Sequence, residues 1–95
     1  MLKYIVQNDK FKASLTTILD FISNDSKQNA INLKSSLRHS LKDLTFMPYK
    51  FRKSIYFDDE NIRDYIFMGY CIPYVIDTAN EQIILLDILK WIDKE

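Results

Sequence analysis

"IRDYIFMGYCIPYVID", residues 62–77, decides how this chain folds. The stretch places the only glycine of the sequence, Gly69, between two runs rich in aromatic residues. Before the glycine, Arg63, Tyr65 and Phe67 alternate with Ile62, Ile66 and Met68, and Asp64 interrupts the second set. After it, Tyr70, Ile72, Tyr74 and Ile76 fall on one face of a run that ends at Asp77. A period of two is the mark of a strand, and a tight hairpin needs positive φ, which glycine adopts without steric cost. The stretch therefore reads as strand, reversal at Gly69, strand. Pro73 has no N–H to give a ladder, so a bulge or an unpaired edge is expected at that point.

Outward in the C-terminal direction, "DTAN" turns the chain, and "EQIILLDILKW" (81–91) reads as a closing strand. Ile83 to Leu86 are apolar on both faces, as expected of a strand inside a sheet. In the other direction, Pro48 closes a helical half. Phe11, Leu15, Ile18, Leu19 and Ile22 make one buried stripe behind a cap at Asn8 or Asp9. "SNDS" (23–26) breaks that stripe and supplies new caps. Ala30, Leu33, Leu37, Leu41 and Leu44 form a second stripe ending near Thr45. Two such helices joined by a turn of a few residues lie antiparallel. "KYIVQ" (3–7) is a short first strand. The order β-α-α-β-β-β predicts an α+β fold, a helical hairpin packed on a small, mainly antiparallel sheet, in a single domain over 1–95.

Ninety-five residues, 47% of them hydrophobic, allow one modest core, and a partner that completes it is plausible on size alone. A single cysteine, Cys71, excludes an internal disulfide and reads as packing. The N-terminus has no apolar stretch of signal-peptide type, and no apolar run approaches the roughly 20 residues of a membrane helix. A cytoplasmic protein without membrane attachment is expected. His39 lies off the helical stripe with no second ligand at metal spacing, so no metal, cofactor or small-molecule substrate is expected.

The net charge of zero conceals an asymmetry. Met1 to Lys53 carries ten Lys or Arg against four Asp, and Ser54 onward carries three against nine. The basic half ends in "YKFRKS", where Lys50, Arg52 and Lys53 sit among Tyr49 and Phe51. Such a loop suits phosphate binding with base stacking. It equally suits a plain connector with solvated charges. On this reading Arg52→Ala leaves the fold intact and weakens activity if the loop is functional.

Three signatures together resemble the RelE/ParE toxins of type II toxin–antitoxin systems: "FRKS" after the proline, the hairpin of residues 62–77, and the closing "IILLDILKW". The resemblance extends over essentially the whole chain. It implies a small cytoplasmic toxin of the growth-inhibiting, plasmid-stabilising kind, neutralised by a cognate antitoxin. Two targets are open, since one branch cleaves mRNA on the ribosome and the other inhibits DNA gyrase by binding. For a nuclease, the residues implied are Arg52, Lys53, Arg63 and Lys90, acting on phosphate and the 2′-hydroxyl. Yet "KWIDKE" has no terminal Tyr or His of the kind those nucleases often use, and the sheet half is acidic. Inhibition by binding requires only complementary surfaces, with Lys50, Phe51, Arg52, Lys53 and Trp91 as contacts. A non-toxic partner-binding module of the same fold is the third reading. For Arg63, an ion pair with Asp77 or Glu81 is the structural alternative.

Overall fold

Residues 2–90 are described by the computed structural model. Strand β1 (Tyr4–Gln7) is followed by helices α1 (Asp9–Asp25) and α2 (Lys27–Leu41), then strands β2 (Ile62–Phe67), β3 (Tyr70–Asp77), β4 (Gln82–Leu85) and β5 (Leu89–Lys90). Asn8 caps α1 by accepting the Phe11 N–H at 2.8 Å. The expected turn of a few residues between the helices is one residue long. Ser26 donates its N–H back to the Ile22 carbonyl, and its hydroxyl caps α2 by accepting from Asn29. The α2 stripe runs on through a 3₁₀ turn (Lys42–Thr45), so Leu44 is buried with Leu33, Leu37 and Leu41.

The sheet order is β1-β4-β3-β2, with β5 also against β3. β1 pairs parallel to β4, and the other pairings are antiparallel. The hairpin reverses at Met68 and Gly69, both with positive φ (47° and 84°). That is the two-residue turn whose twist matches the flanking strands. Met68 belongs to the turn, not to the strand as its hydrophobicity suggested.

Register sets the two faces. Arg63, Tyr65 and Phe67 stand opposite Tyr74, Ile72 and Tyr70, and Tyr74 and Ile76 stand opposite Leu85 and Ile83. This face packs against the helices, with Phe11, Leu37 and Leu44 among the residues that close the core. Fully burying one such side chain contributes about 1.5–3 kcal/mol.

The closing strand is not continuous. Leu86 donates its N–H to the Pro73 carbonyl at 2.9 Å, and pairing resumes with Leu89 opposite Cys71. Asp87 and Ile88 thus stand together against Ile72 alone, a β-bulge. Pro73 has no N–H to return to Leu86, and the ladder lapses there. The disruption expected at Pro73 falls on its partner strand. The Asp87 carboxylate turns back to accept the Ile88 N–H at 2.8 Å, which satisfies one amide freed by the bulge.

Candidate functional site

The segment between the 3₁₀ turn and β2 is held to the sheet edge by backbone and by charge. Ser54 N–H donates to the Ile62 carbonyl, and Asp64 N–H donates to the Arg52 carbonyl, at 2.8 and 3.1 Å. Lys53 and Arg63 form a bridge pair within this short extension of the sheet. Asp64, the residue that interrupts the hydrophobic alternation, explains the attachment. Its side chain is fully buried, and one oxygen accepts from the Arg52 guanidinium at 3.2 Å and from the Ile55 N–H at 3.0 Å. The carboxylate therefore staples the loop onto the sheet from beneath.

The other cations of the region are tied as well. Lys53 reaches Asp58 at 3.0 Å, and that hydrogen bond raises its pKa. Arg63 does not meet Asp77 or Glu81. It donates to the carbonyls of Glu60 and Phe51, lies 3.5 Å from the Glu60 carboxylate, and sits 5.0 Å from the Tyr49 ring centre. The register places Tyr74 opposite Arg63, while Asp77 instead accepts from Asn80 and Gln82 and its pKa is lowered by them. Glu81 pairs with Lys3. Phe51 packs edge-on to Tyr65, which stacks against Phe67, so this aromatic belongs to the sheet. Lys50 lies over the Phe51 ring at 5.6 Å. The buried Tyr74 hydroxyl donates to the Pro48 carbonyl at 2.6 Å, fixing the start of the loop, and burial pushes its pKa up.

Arg52, Lys53 and Arg63 are thus neighbours at the β2 edge. Lys90 is elsewhere. It stands opposite Tyr70, four residues along β3 from Tyr74 and on the far side of that strand from β2. About 13 Å of strand and two strand spacings separate it from Arg63. Its surroundings are α1 residues, including Thr17 and Phe21. Trp91 lies outside the described residues. His39 is exposed, and among the described residues no group of three His, Cys, Asp or Glu is placed to hold a metal ion. Cys71 is buried beside Asp64, and burial first, then that carboxylate, pushes its thiol up to about 12.

The sheet face away from the helices carries Tyr4 and Val6 of β1, Ile84 of β4, Val75 of β3, and Ile62 and Ile66 of β2. Tyr4 is 58% exposed, Val6 40% and Ile66 41%. Its polar strand residues are Asp64, Asp77 and Gln82. No Lys or Arg of the described strands points to this face. The alternation of each strand encoded it, but which alternate set was covered followed only from pairing.

A second surface lies at the opposite sheet edge. Ile5 and Gln7 of β1, Phe11 and Leu15 of α1, and Leu37 and Leu41 of α2 enclose an apolar groove of about 270 Å³. Lys34, Arg38 and Lys42 form its rim. Their four-residue spacing runs one position behind the buried stripe Leu33, Leu37 and Leu41, so the rim was legible in the sequence as one helix ridge. No described helix is long and apolar enough to cross a membrane.

Comparison with known proteins places this geometry. The family model of the ParE toxin of type II toxin–antitoxin systems, parDE, matches residues 5–90. Among solved structures, the chain is similar to one described as the chromosomal ParDE TA system from P. aeruginosa, with a TM-score of 0.74. The two share 14% identity over 96% of this chain and 98% of the other, so the likeness is one of fold. No curated protein matches.

Proposed function

Since the chain belongs to the ParE toxin family of type II toxin–antitoxin systems, we propose that it arrests growth by binding DNA gyrase, and that a cognate antitoxin holds it silent. The observation that carries this reading is the composition of the helix-free sheet face. A surface that grips RNA and stabilises charge on a phosphate needs cations aimed at the substrate. The strands present exposed Tyr4, Val6 and Ile66 and half-buried Ile62, Val75 and Ile84 instead, beside Asp77, while Asp64 is buried beneath the loop against Arg52. Exposed apolar side chains on a contiguous face are the material of a protein–protein contact. Arg52, Lys53 and Arg63 each lie against a carboxylate, which supports a role in shaping the loop.

The test is plasmid supercoiling by purified gyrase in the presence of the purified protein. Inhibition that saturates near equimolar protein is expected. Val6→Glu and Ile66→Glu, both at exposed positions of the face, are expected to weaken inhibition at least tenfold while the variants remain folded by circular dichroism. Undiminished supercoiling at a large excess of folded protein overturns the proposal.

A further inference from the structure

Between Ile55 and Phe57 the chain leaves three consecutive large apolar side chains in solvent, Ile55 at 61%, Tyr56 at 45% and Phe57 at 41% exposure. The loop that carries them is fastened along its length. Its ends meet where the Ser54 N–H donates to the Ile62 carbonyl at 2.8 Å. Inside it, the Ser54 hydroxyl accepts the Tyr56 N–H, Lys53 spans the base to Asp58, and the Asp59 carboxylate accepts the Asn61 N–H. From beneath, the buried Asp64 accepts the Ile55 N–H. The other oxygen of Asp64, Oδ1, is buried with no hydrogen-bond partner among the described residues. An unsatisfied buried carboxylate oxygen costs stability, and the fold accepts that cost at the point where it fixes this loop. A plain connector gains nothing from such fixing. A contact loop does, because ordering it before binding removes that entropy from the cost of association.

The loop also continues the helix-free face. Asp64 and Ile66 of β2, and Cys71 of β3 opposite Ile66, belong to that face by register. Ile55 is bonded to Asp64, and burial first, then Cys71 and Asp64, raise the Tyr56 pKa. Tyr56 therefore stands over the Asp64 and Cys71 corner of the face, and the apolar surface that reaches Ile66 on β2 extends onto the loop. Its rim is acidic, since Asp58, Asp59 and Glu60 follow Phe57 directly. Lys53 balances Asp58 and Arg63 balances Glu60, whereas Asp59 forms no ion pair among the described residues. Such a rim repels the phosphates of a nucleic acid or of an anionic membrane. Two copies meeting tip to tip would set Asp59 against Asp59, which disfavours a symmetric self-contact. An apolar cleft edged by a Lys or Arg matches both the tip and the rim.

We propose that this loop is a second point of contact with the same target: Ile55, Tyr56 and Phe57 enter an apolar cleft of gyrase, and Asp59 meets a cation at the rim of that cleft. This placement rests on the reading that gyrase is the target, and it adds the residues that select the docking site and the chemistry they select. Large anchors seated in pockets carry most of the binding energy of protein contacts, while a charge at the rim sets the rate and the salt dependence of association.

The experiment measures binding of the full chain to purified gyrase by titration calorimetry, beside the supercoiling assay. Phe57→Ala is expected to weaken binding at least tenfold with an unchanged thermal midpoint. Ile31→Ala, an equally conservative truncation at an exposed position of α2, is expected to leave binding unchanged. Asp59→Asn keeps an oxygen for the Asn61 N–H and removes only the charge. It is expected to weaken binding about fivefold at low salt and to match wild type in about 0.5 M salt, where exposed charges are screened. If Phe57→Ala and Asp59→Asn bind as wild type while Val6→Glu still weakens inhibition, the contact loop is overturned and the gyrase reading stands. A loss in Phe57→Ala that accompanies a lowered thermal midpoint, with Asp59→Asn unchanged, assigns the loop to stability and overturns the contact as well. No binding of the wild-type protein to gyrase removes both readings together.

Discussion

Replacing Arg52 with alanine withdraws the guanidinium from a carboxylate that solvent does not reach. Asp64 is 1% exposed, and its accepting oxygen keeps the Ile55 N–H but loses the charge that balances it. Removing one partner of a buried ion pair costs about 3–5 kcal/mol, because the remaining charge stays desolvated. Arg52 is 41% exposed at its side chain, which screens the pair and places the cost at the lower end, near 3 kcal/mol. For a domain of this size that lowers Tm by about 12–20 °C. Replacing Asp64 with asparagine in the Arg52→Ala background removes the stranded charge and retains an acceptor for Ile55. The double variant is therefore expected to lie only about 1 kcal/mol below wild type, as for a weakened hydrogen bond. Urea denaturation of the four proteins of the cycle measures this. A single-variant loss under about 0.5 kcal/mol, or a double variant no more stable than Arg52→Ala, refutes the staple. The sequence alone suggested that Arg52→Ala spares the fold, so loss of activity in that variant has to be read against its stability.

Other outcomes follow from local geometry. Met68 holds φ at 47°, which asparagine or glycine tolerates better, so Met68→Asn is expected to gain about 0.5–1 kcal/mol in thermal unfolding. Ser26→Ala removes the cap of α2 at the one-residue hinge and is expected to cost about 1 kcal/mol by urea titration. Cys71 titrates at about 12 in the fold against an ordinary 9.0. Its thiol stays protonated while the unfolded thiol ionises, so its contribution is complete below pH 9 and is lost as pH rises from 9 toward 12. At pH 10 the loss is about 1.4 kcal/mol relative to pH 8, and Cys71→Ala is expected to flatten that slope. An unchanged slope in the variant contradicts the assignment to Cys71.

Local rules carried most of the architecture. The stripes from Phe11 to Ile22 and from Ala30 to Leu44, the cap at Asn8, and the reversal at Gly69 were legible because each depends on neighbours within one or two turns. The parallel pairing of β1 with β4 was not legible, since Tyr4 and Gln82 meet across nearly the whole chain. Nor was the break after Leu86, because a hydrophobic run does not record that the opposite residue is a proline without an N–H. The candidate cations showed the same division. Arg52 and Lys53 were recognisable as one basic loop, but the approach of Arg63 to them and their carboxylate partners Asp64, Asp58 and Glu60 were fixed by loop and register. Lys90 shared the charge of that cluster and not its place.

The most direct test of the binding-toxin account is to map mRNA ends in a purified translation reaction containing the folded protein. The account predicts intact message on translating ribosomes at protein concentrations that stop gyrase. New ends confined to ribosome-engaged codons would contradict it, and would make Arg52, Lys53, Arg63 and Lys90 the residues to replace.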